Sequence, residues 1–522
     1  MGEKGKVLGN TQHNKGKQSL LPLSLQEPPP TTSYPLPPSN HHCTLNWHLT
    51  YVRGGIMVAP RQWVTTLLAA VAFGCLATGM VAQSANQNQI IALVGGQLLD
   101  GYEAPPIHHA AIVIEGNRIV AVGPASEVDI PPDAEIINTA GKTMMPGMVD
   151  AHVHIMILGH GNYADWFPWF EGNDQLVYET SAKQLLAAGV TAGVDLSAPM
   201  SSLEFRDRAN ANEVPGPRLL VSGPWISRYA WDFLPDELTA IVESPDEARD
   251  KAITLIDAGV DVIKTWIGIT EEDMRAIKSV AAPAGVPIHC HVYEEEVVWA
   301  AIRGGCDVLQ HAGSGGSVPA YSDELVQHIA MEGIPVVQTI SHRIWIYPAT
   351  LEFPERLYDP DILNSFPPVI RDEVLSSYTK HDFWRRSYFN NTPRQIRNSK
   401  KAARQFIEAD ALMAMGTDTG SPLNFHAESA WREVSALVEM GMSEIEAISA
   451  STKVSAQVLG LRDTGTIEPG KLADIIVVDG NPLFNINALG YVTDVIKDGI
   501  IYKRNGVPTW ETKPATTNTS GR

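Results

Sequence analysis

The chain is short of cysteine and of positive charge. Its 522 residues hold four cysteines, Cys43, Cys75, Cys290 and Cys306. None stands in a Cys-x-x-Cys pair, which excludes a thiolate zinc knot or a dithiol redox motif. Cys290 and Cys306 fall in apolar runs and read as small core residues, so no disulfide framework is implied. Lys and Arg number 39 against 59 Asp and Glu, a formal net charge of −20. A nucleic-acid partner would need a basic face, so none is expected. With 19% charged and 44% hydrophobic residues, the composition is that of a globular chain able to bury a large core.

Long apolar runs are also scarce near the N-terminus, and one stands out. Trp63 to Ala82 follows the basic flank Met57-Val58-Ala59-Pro60-Arg61-Gln62 and precedes small and polar residues. This is the pattern of a secretory signal over 57–84, cleaved near Ala82 or Ser84. The expected location is periplasmic or secreted, with no membrane attachment after cleavage. An uncleaved membrane anchor is the alternative, since about 20 apolar residues span a bilayer. Residues 1–56 carry Pro28, Pro29, Pro30, Pro35, Pro37 and Pro38 and read as disordered. A signal belongs at the start of a chain, so translation is expected to begin at Met57, with 1–56 an artefact of start-site assignment. Residues 509–522 read as a disordered tail.

From 89 to 147 the pattern is β. Ala111 to Ile114 and Ile119 to Val122 flank Glu115-Gly116-Asn117-Arg118, a tight hairpin. Residues 465–508 supply matching strands at Ala473 to Asp479 and a second hairpin turning at Asp498-Gly499. The two segments are expected to form one small β-sandwich domain. Between them, over 148–464, a helical stretch ending in glycine is followed by a short apolar strand, again and again. The glycines are Gly189, Gly259, Gly285, Gly305 and Gly333. Eight strands result, at Met148 to His154, Val190 to Asp195, Arg218 to Ser222, Val260 to Trp266, Val286 to His291, Cys306 to His311, Pro335 to Thr339 and Ala411 to Asp418. Continuous apolar strands alternating with helices are parallel and buried on both faces. The α/β pattern predicts a (β/α)8 TIM barrel, with an open doubly wound sheet as the alternative. Ser443-x-x-Glu446 is a capping box with a structural role.

Chemistry in a barrel sits at the C-terminal strand ends. There stand His152 and His154, Lys264, His289 and His291, His311, and Asp418. Histidines two apart on a strand share a face and suit a divalent metal. A lysine at the end of an apolar strand is costly unless paired or modified.

Three segments, Pro146 to His154, Val262-Ile263-Lys264 and Gly416-Thr417-Asp418, together with His289, His311 and Gly465 to Asp474, resemble the amidohydrolase superfamily over about residues 90–507. Within it the chain looks like the imidazolonepropionase-related branch that includes prolidase-type dipeptidases. The resemblance implies a binuclear metal hydrolase, with two divalent ions, zinc being expected. His152, His154 and Asp418 would hold one ion and His289 and His311 the other. A CO2-derived carbamate on Lys264 would bridge them. A hydroxide shared by the ions would attack an amide, with Asp418 as general base and then acid. His291 reads as substrate-facing or as a packed core histidine. His426 and Glu428 either line the site or start a helix.

Substrate choice falls to the loops. Trp166 to Phe170, Trp225 to Trp231, and an insertion from about His342 to Lys400 with Trp345, Tyr347, Phe366, Tyr378 and Trp384 are aromatic-rich. They form an apolar pocket or lid, or they pack the loops onto the barrel. Arg228 could pair with a substrate carboxylate, and Tyr229 stands beside it where relatives carry Gly-Gly-His. The expected substrate is a small amide: a dipeptide, an N-acyl amino acid or similar. A homo-oligomer is compatible with all of this. A one-metal deaminase or cyclic-amide hydrolase using His152, His154, His289 and Asp418, and a non-catalytic binding protein on a relic barrel, are the alternatives.

Overall fold

The computed structural model describes residues 89–232, 234–315, 321–379 and 392–511. The expectations for 1–56, for the signal at 57–84, for the tail beyond 511 and for Trp384 lie outside them.

All eight expected central strands form: β1 (Met148–Val153), β2 (Val190–Asp195), β3 (Arg218–Val221), β4 (Ile263–Thr265), β5 (Ile288–His291), β6 (Val308–Gln310), β7 (Val336–Val337) and β8 (Met413–Ala414). Every pairing among neighbours in this set is parallel. The alternation of side chains splits these strands between two cores. Val149, Ala151, Ala192, Val194, Val308, Val337 and Ala414 pack together on one face. Met148, Val153, Val190, Leu219, Ile263, Leu309, Val336 and Met413 pack on the other, with the helices. This is why the strands read as unbroken apolar runs.

The strands divide into a sheet of β1 to β3 and a seven-stranded sheet holding β4 to β8 and two short strands, Trp225–Ser227 and Thr239–Ile241. Backbone bonds link the two groups on both sides. Ala151 N–H donates to Met415 O at 2.9 Å and Thr417 N–H to His152 O at 3.2 Å, beside a parallel bridge of Val153 with Thr419. Asp261 N–H donates to Val221 O at 2.9 Å. Helices between strands end as the sequence indicates: Gly285 and Gly305 take left-handed C-cap conformations (φ 72° and 94°), where a side chain would be strained.

The outer strands join the two ends of the described chain. Ile475–Asp479 runs antiparallel to Lys142–Pro146, with Ile475 opposite Pro146. Both hairpins form, with Glu115 opposite Arg118 and Lys497 opposite Ile500. A four-stranded and a six-stranded sheet share one core that includes Ile91, Leu93, Ile112, Ile137, Ile475, Val477 and Ile496. The Ser443/Glu446 capping box is present.

One expectation is corrected. Cys290 and Cys306 are joined by a disulfide rather than standing as separate core residues. The adjacent parallel strands β5 and β6, with Cys290 opposite Leu309, bring their Cα atoms to 6.2 Å, a proximity hidden by a separation of 16 residues. Among the described residues no helix is long and apolar enough to cross a membrane.

Candidate active site

The strand ends converge. His152 and His154 close β1 on one face, and their Nε2 atoms lie 3.4 Å apart. Asp418, four residues past β8, reaches them with Oδ1 at 3.1 Å from His154 Nε2 and 3.6 Å from His152 Nε2. One ligand atom from each of the three lies within 4.8 Å of the others, the spacing of a metal-binding group. Lys264, His291 and His311 line the same cavity of about 130 Å³. The His311 ring centre stands 4.4 Å from that of His152 and 4.8 Å from that of His291.

A further layer orients these rings. Gln310, at the end of β6, accepts from His152 Nδ1 at 2.7 Å and donates to His289 Nδ1 at 2.9 Å. It therefore turns the Nε2 of both rings toward the interior. Thr339 Oγ1 bonds His311 Nδ1 at 2.8 Å. Asp150, two residues before His152, accepts from the N–H of His152 and from the N–H and hydroxyl of Thr417. It ties the ends of β1 and β8 together beneath the cluster. His311, Thr339 and Asp418 all adopt left-handed backbone (φ 65°, 54° and 54°), a strained state for such side chains that marks the ends of β6, β7 and β8.

Electrostatics favour neutral imidazoles and a neutral lysine. Burial, reinforced by the Lys264 charge, holds the His152 imidazole well below its ordinary value. Burial and the neighbouring His152 do the same to His311. Burial lowers His289 and His291 to about 3. Burial brings Lys264 down to about 7, with Asp418 opposing. Burial works to raise the Asp418 carboxyl, but the His154 hydrogen bond and the charges of His152 and His154 prevail and hold it below the carboxylate range. Lys264 is 1% exposed, and its Nζ has no hydrogen-bond partner among the described residues. Neither has the buried Nε2 of His289.

Three expected substrate contacts are corrected. The Arg228 guanidinium is spent on Asp273, with bonds of 2.9 and 2.6 Å, and stands outside the cavity. Asp273 belongs to a second capping box with Thr270, which fixes it there. Tyr229 is 65% exposed and also lies outside. His426 is buried and bonds the carbonyl of His154 at 3.0 Å, holding the end of β1 instead of facing the cavity. Glu428 pairs with Arg356 and Arg432. The aromatic loops divide their labour. Phe167, Trp225 and Trp231 line the cavity, whereas Tyr347, Phe366 and Tyr378 of the insertion are packed in the core.

Sequence reasoning missed His342 and Arg343, which follow β7. His342 Nε2 lies 3.7 Å from Asp418 Oδ2, and Arg343 lines the cavity. Burial and the Arg343 charge hold His342 at about 3. Their one sequence signal was their position just beyond the seventh strand. Met156, Tyr293 and Trp266 complete the apolar wall.

The Amidohydrolase family model matches residues 143–501. Ochratoxinase of Aspergillus niger is 24% identical over 491 residues, covering 83% of this chain and 90% of that one. Its crystal structure superposes with a TM-score of 0.64 at 21% identity, over 81% of this chain and 98% of that one. Imidazolonepropionase of Geobacillus kaustophilus is 22% identical, over 77% of this chain and 91% of the other. A Xaa-Pro dipeptidase structure with bound methionine in its active site gives a TM-score of 0.62 at 24% identity, over 80% of this chain and 100% of that one. The chain belongs to the Amidohydrolase family and is a hydrolase acting on carbon–nitrogen bonds.

Proposed function

We propose that this protein hydrolyses the amide of a small molecule with the help of two divalent ions, which Lys264 would hold as its carbamate together with the neighbouring histidines and Asp418. Water adds across the C–N bond, so that one carboxylic acid and one amine are released. One observation carries the reading: a lysine amine buried among histidines with no hydrogen-bond partner among the described residues. As an ammonium it would be an unpaired buried charge. With its proton affinity lowered to about 7, the amine is substantially neutral near neutral pH and can add to CO2. The N–C bond forms, the nitrogen gives up a proton, and a carbamate anion results. His152, His154 and Asp418 would hold one ion, and His289 and His311 the other. The bare buried Nε2 of His289 and the depressed proton affinities of His152, His289 and His311 fit such a centre.

When bound, the ions, zinc by expectation, would lower the pKa of a bound water and polarise the substrate carbonyl. The chain's own residues supply the rest. Asp418 accepts the proton of the attacking water and passes it to the leaving nitrogen. Gln310 and Thr339 keep the ligating rings in register, and the apolar wall limits water.

In this reading β1 to β8 form a closed (β/α)8 barrel, supported by the backbone bonds of β8 to β1 and of β3 to Asp261. Residues 89–147 and 465–508 form its β-sandwich, and the enzyme acts in the periplasm or outside the cell after loss of 57–84. Carbon-13 NMR of protein loaded with zinc and labelled bicarbonate tests the centre. A carbamate signal that disappears in Lys264→Ala is expected; an active enzyme without that signal overturns the bridge. A second reading, a one-metal deaminase, is favoured by the compactness of the His152/His154/Asp418 group alone. Ammonia release at one ion per chain would establish it.

A further inference from the structure

We infer that the protein has a second binding site, an outer chamber beside the metal-side cavity, and that it takes a cationic amphiphile: an apolar body with an ammonium group at its outer end and a hydrogen-bonding group at its inner end. The inference does not depend on the hydrolase reading, because none of His152, His154, Lys264, His289, His311 and Asp418 lines this chamber.

The chamber has a volume of about 940 Å³, against about 130 Å³ for the metal-side cavity, and so has room for an organic molecule of many atoms. The helix Tyr163–Phe170 stands between the two spaces. Its Phe167 lines both, as does Leu234, while its Phe170 faces the outer chamber alone. The short turn Asp236–Leu238, the strand Thr239–Ile241 that follows it, and the helix Pro245–Asp257 supply much of the remaining wall. The floor is apolar: Phe167, Phe170, Leu238 and Leu255 are all buried.

The rim is anionic. Glu171, Asp174, Asp232, Asp236 and Glu237 border the chamber, and Lys251 is the one lysine or arginine among its described lining residues. Among the described residues none of the five carboxylates is held in an ion pair. The metal-side cavity is unlike it, for there Lys264 and Arg343 stand with Asp418. Five carboxylates against one ammonium, set over an apolar floor, suit a ligand that is both positive and apolar.

A second observation, independent of the charge, points to an occupant. Thr239 lines the chamber and is only 7% exposed, and its Oγ1 has no hydrogen-bond partner among the described residues. A buried hydroxyl is ordinarily satisfied by the protein, and one left bare at a cavity wall is costly unless a ligand meets it. Thr239 is buried, whereas Glu171, Asp232, Asp236 and Glu237 are exposed. The hydroxyl therefore marks the inner end of the site and the carboxylates its mouth, which orients the ligand.

The test uses three ligands of one shape, measured by calorimetry on the zinc-loaded native protein: para-(para-hydroxyphenyl)benzylamine, para-phenylbenzylamine without the hydroxyl, and para-phenylbenzyl alcohol without the charge. We expect para-phenylbenzylamine to bind at least tenfold tighter than the alcohol at low salt, an advantage that shrinks several-fold at about 0.5 M salt. The double variant Asp236→Asn/Glu237→Gln, at two exposed positions, should cut that advantage about threefold. Thr239→Val should weaken the hydroxylated amine about fivefold and leave para-phenylbenzylamine unchanged. All of this should hold equally on zinc-free protein. Equal binding of amine and alcohol, a preference untouched by the rim variant, or amine binding that vanishes with the zinc overturns the inference. Exclusion of all three ligands that lifts on dilution would assign the chamber to a second copy of this chain and overturn it as well. The comparison of the three ligands on native protein needs no variant to fold.

Discussion

Two lysines among the described residues are almost wholly buried, and they live in opposite surroundings. Lys497, 0% exposed in the outer sheets, bonds Asp498 at 3.2 Å, Asn212 and the carbonyl of Ala209. Its neighbours are equally provided for: Arg218 pairs with Asp498 and with Asp474. Lys264, 1% exposed at the end of β4, has no hydrogen-bond partner among the described residues. Burial depresses both amines, but at Lys497 Asp498 and Asp474 push back, while at Lys264 only Asp418 does. The contrast teaches that a buried charge says little until its partners are counted. Satisfied, it fastens two segments; unsatisfied, it is reserved for something the fold does not itself supply.

Substitutions can sharpen or break this comparison. The largest effect is expected from the two aspartates. Asp418→Asn should keep most bound metal yet lower kcat by about 10²–10⁴-fold, measured in parallel with metal content. Asp498→Asn should lower stability and leave turnover per folded molecule intact.

The lysines should divide in the same way. Lys497→Met takes one of two cations from Asp498, which keeps Arg218, and is expected to cost about 1–3 kcal/mol in chemical denaturation. Lys264→Met removes a buried amine that has no hydrogen-bond partner among the described residues, so metal-free protein should be as stable as the parent or more so, while the second ion and activity are lost. If Lys264→Met destabilises as much as Lys497→Met, the comparison fails.

Smaller effects are expected from the support. Glu433 accepts the N–H groups of Ile340 and Ser341, so Glu433→Gln leaves one of the two facing an amide donor and should reduce kcat about tenfold, through displacement of the turn before His342. Smallest is the pH effect. Because the folded Lys264 amine releases its proton near 7, below its unfolded value, the unfolded chain holds more protons between about 7 and 10.5. Metal-free protein should therefore gain stability as pH rises through that window. Reconstitution with zinc and bicarbonate should run about tenfold faster at pH 8 than at pH 6, following the neutral fraction. A flat reconstitution profile would remove the neutral amine from the mechanism.

Much of this was legible beforehand because it is written in local pattern. Unbroken apolar runs gave all eight central strands, Gly285 and Gly305 gave helix ends, and Asp498-Gly499 gave a hairpin. Strand-end polarity picked out His152, His154, Lys264 and Asp418. What escaped depends on distant partners. Arg228 looked free for a substrate until Thr270 and Asp273 formed a capping box that captured it. Arg343 looked like the first turn of an insertion until Glu433, 90 residues on, clamped the backbone before it. The pairing of Cys290 with Cys306 depends on the register of β5 against β6, and left-handed His311, Thr339 and Asp418 carry no residue signature at all.

The most direct test is metal content per chain, by elemental mass spectrometry, on native protein and Lys264→Met loaded with zinc and bicarbonate. About two ions in the native chain, falling to about one in the variant, is the expected result. Equal metal content in both proteins would contradict the role assigned to Lys264.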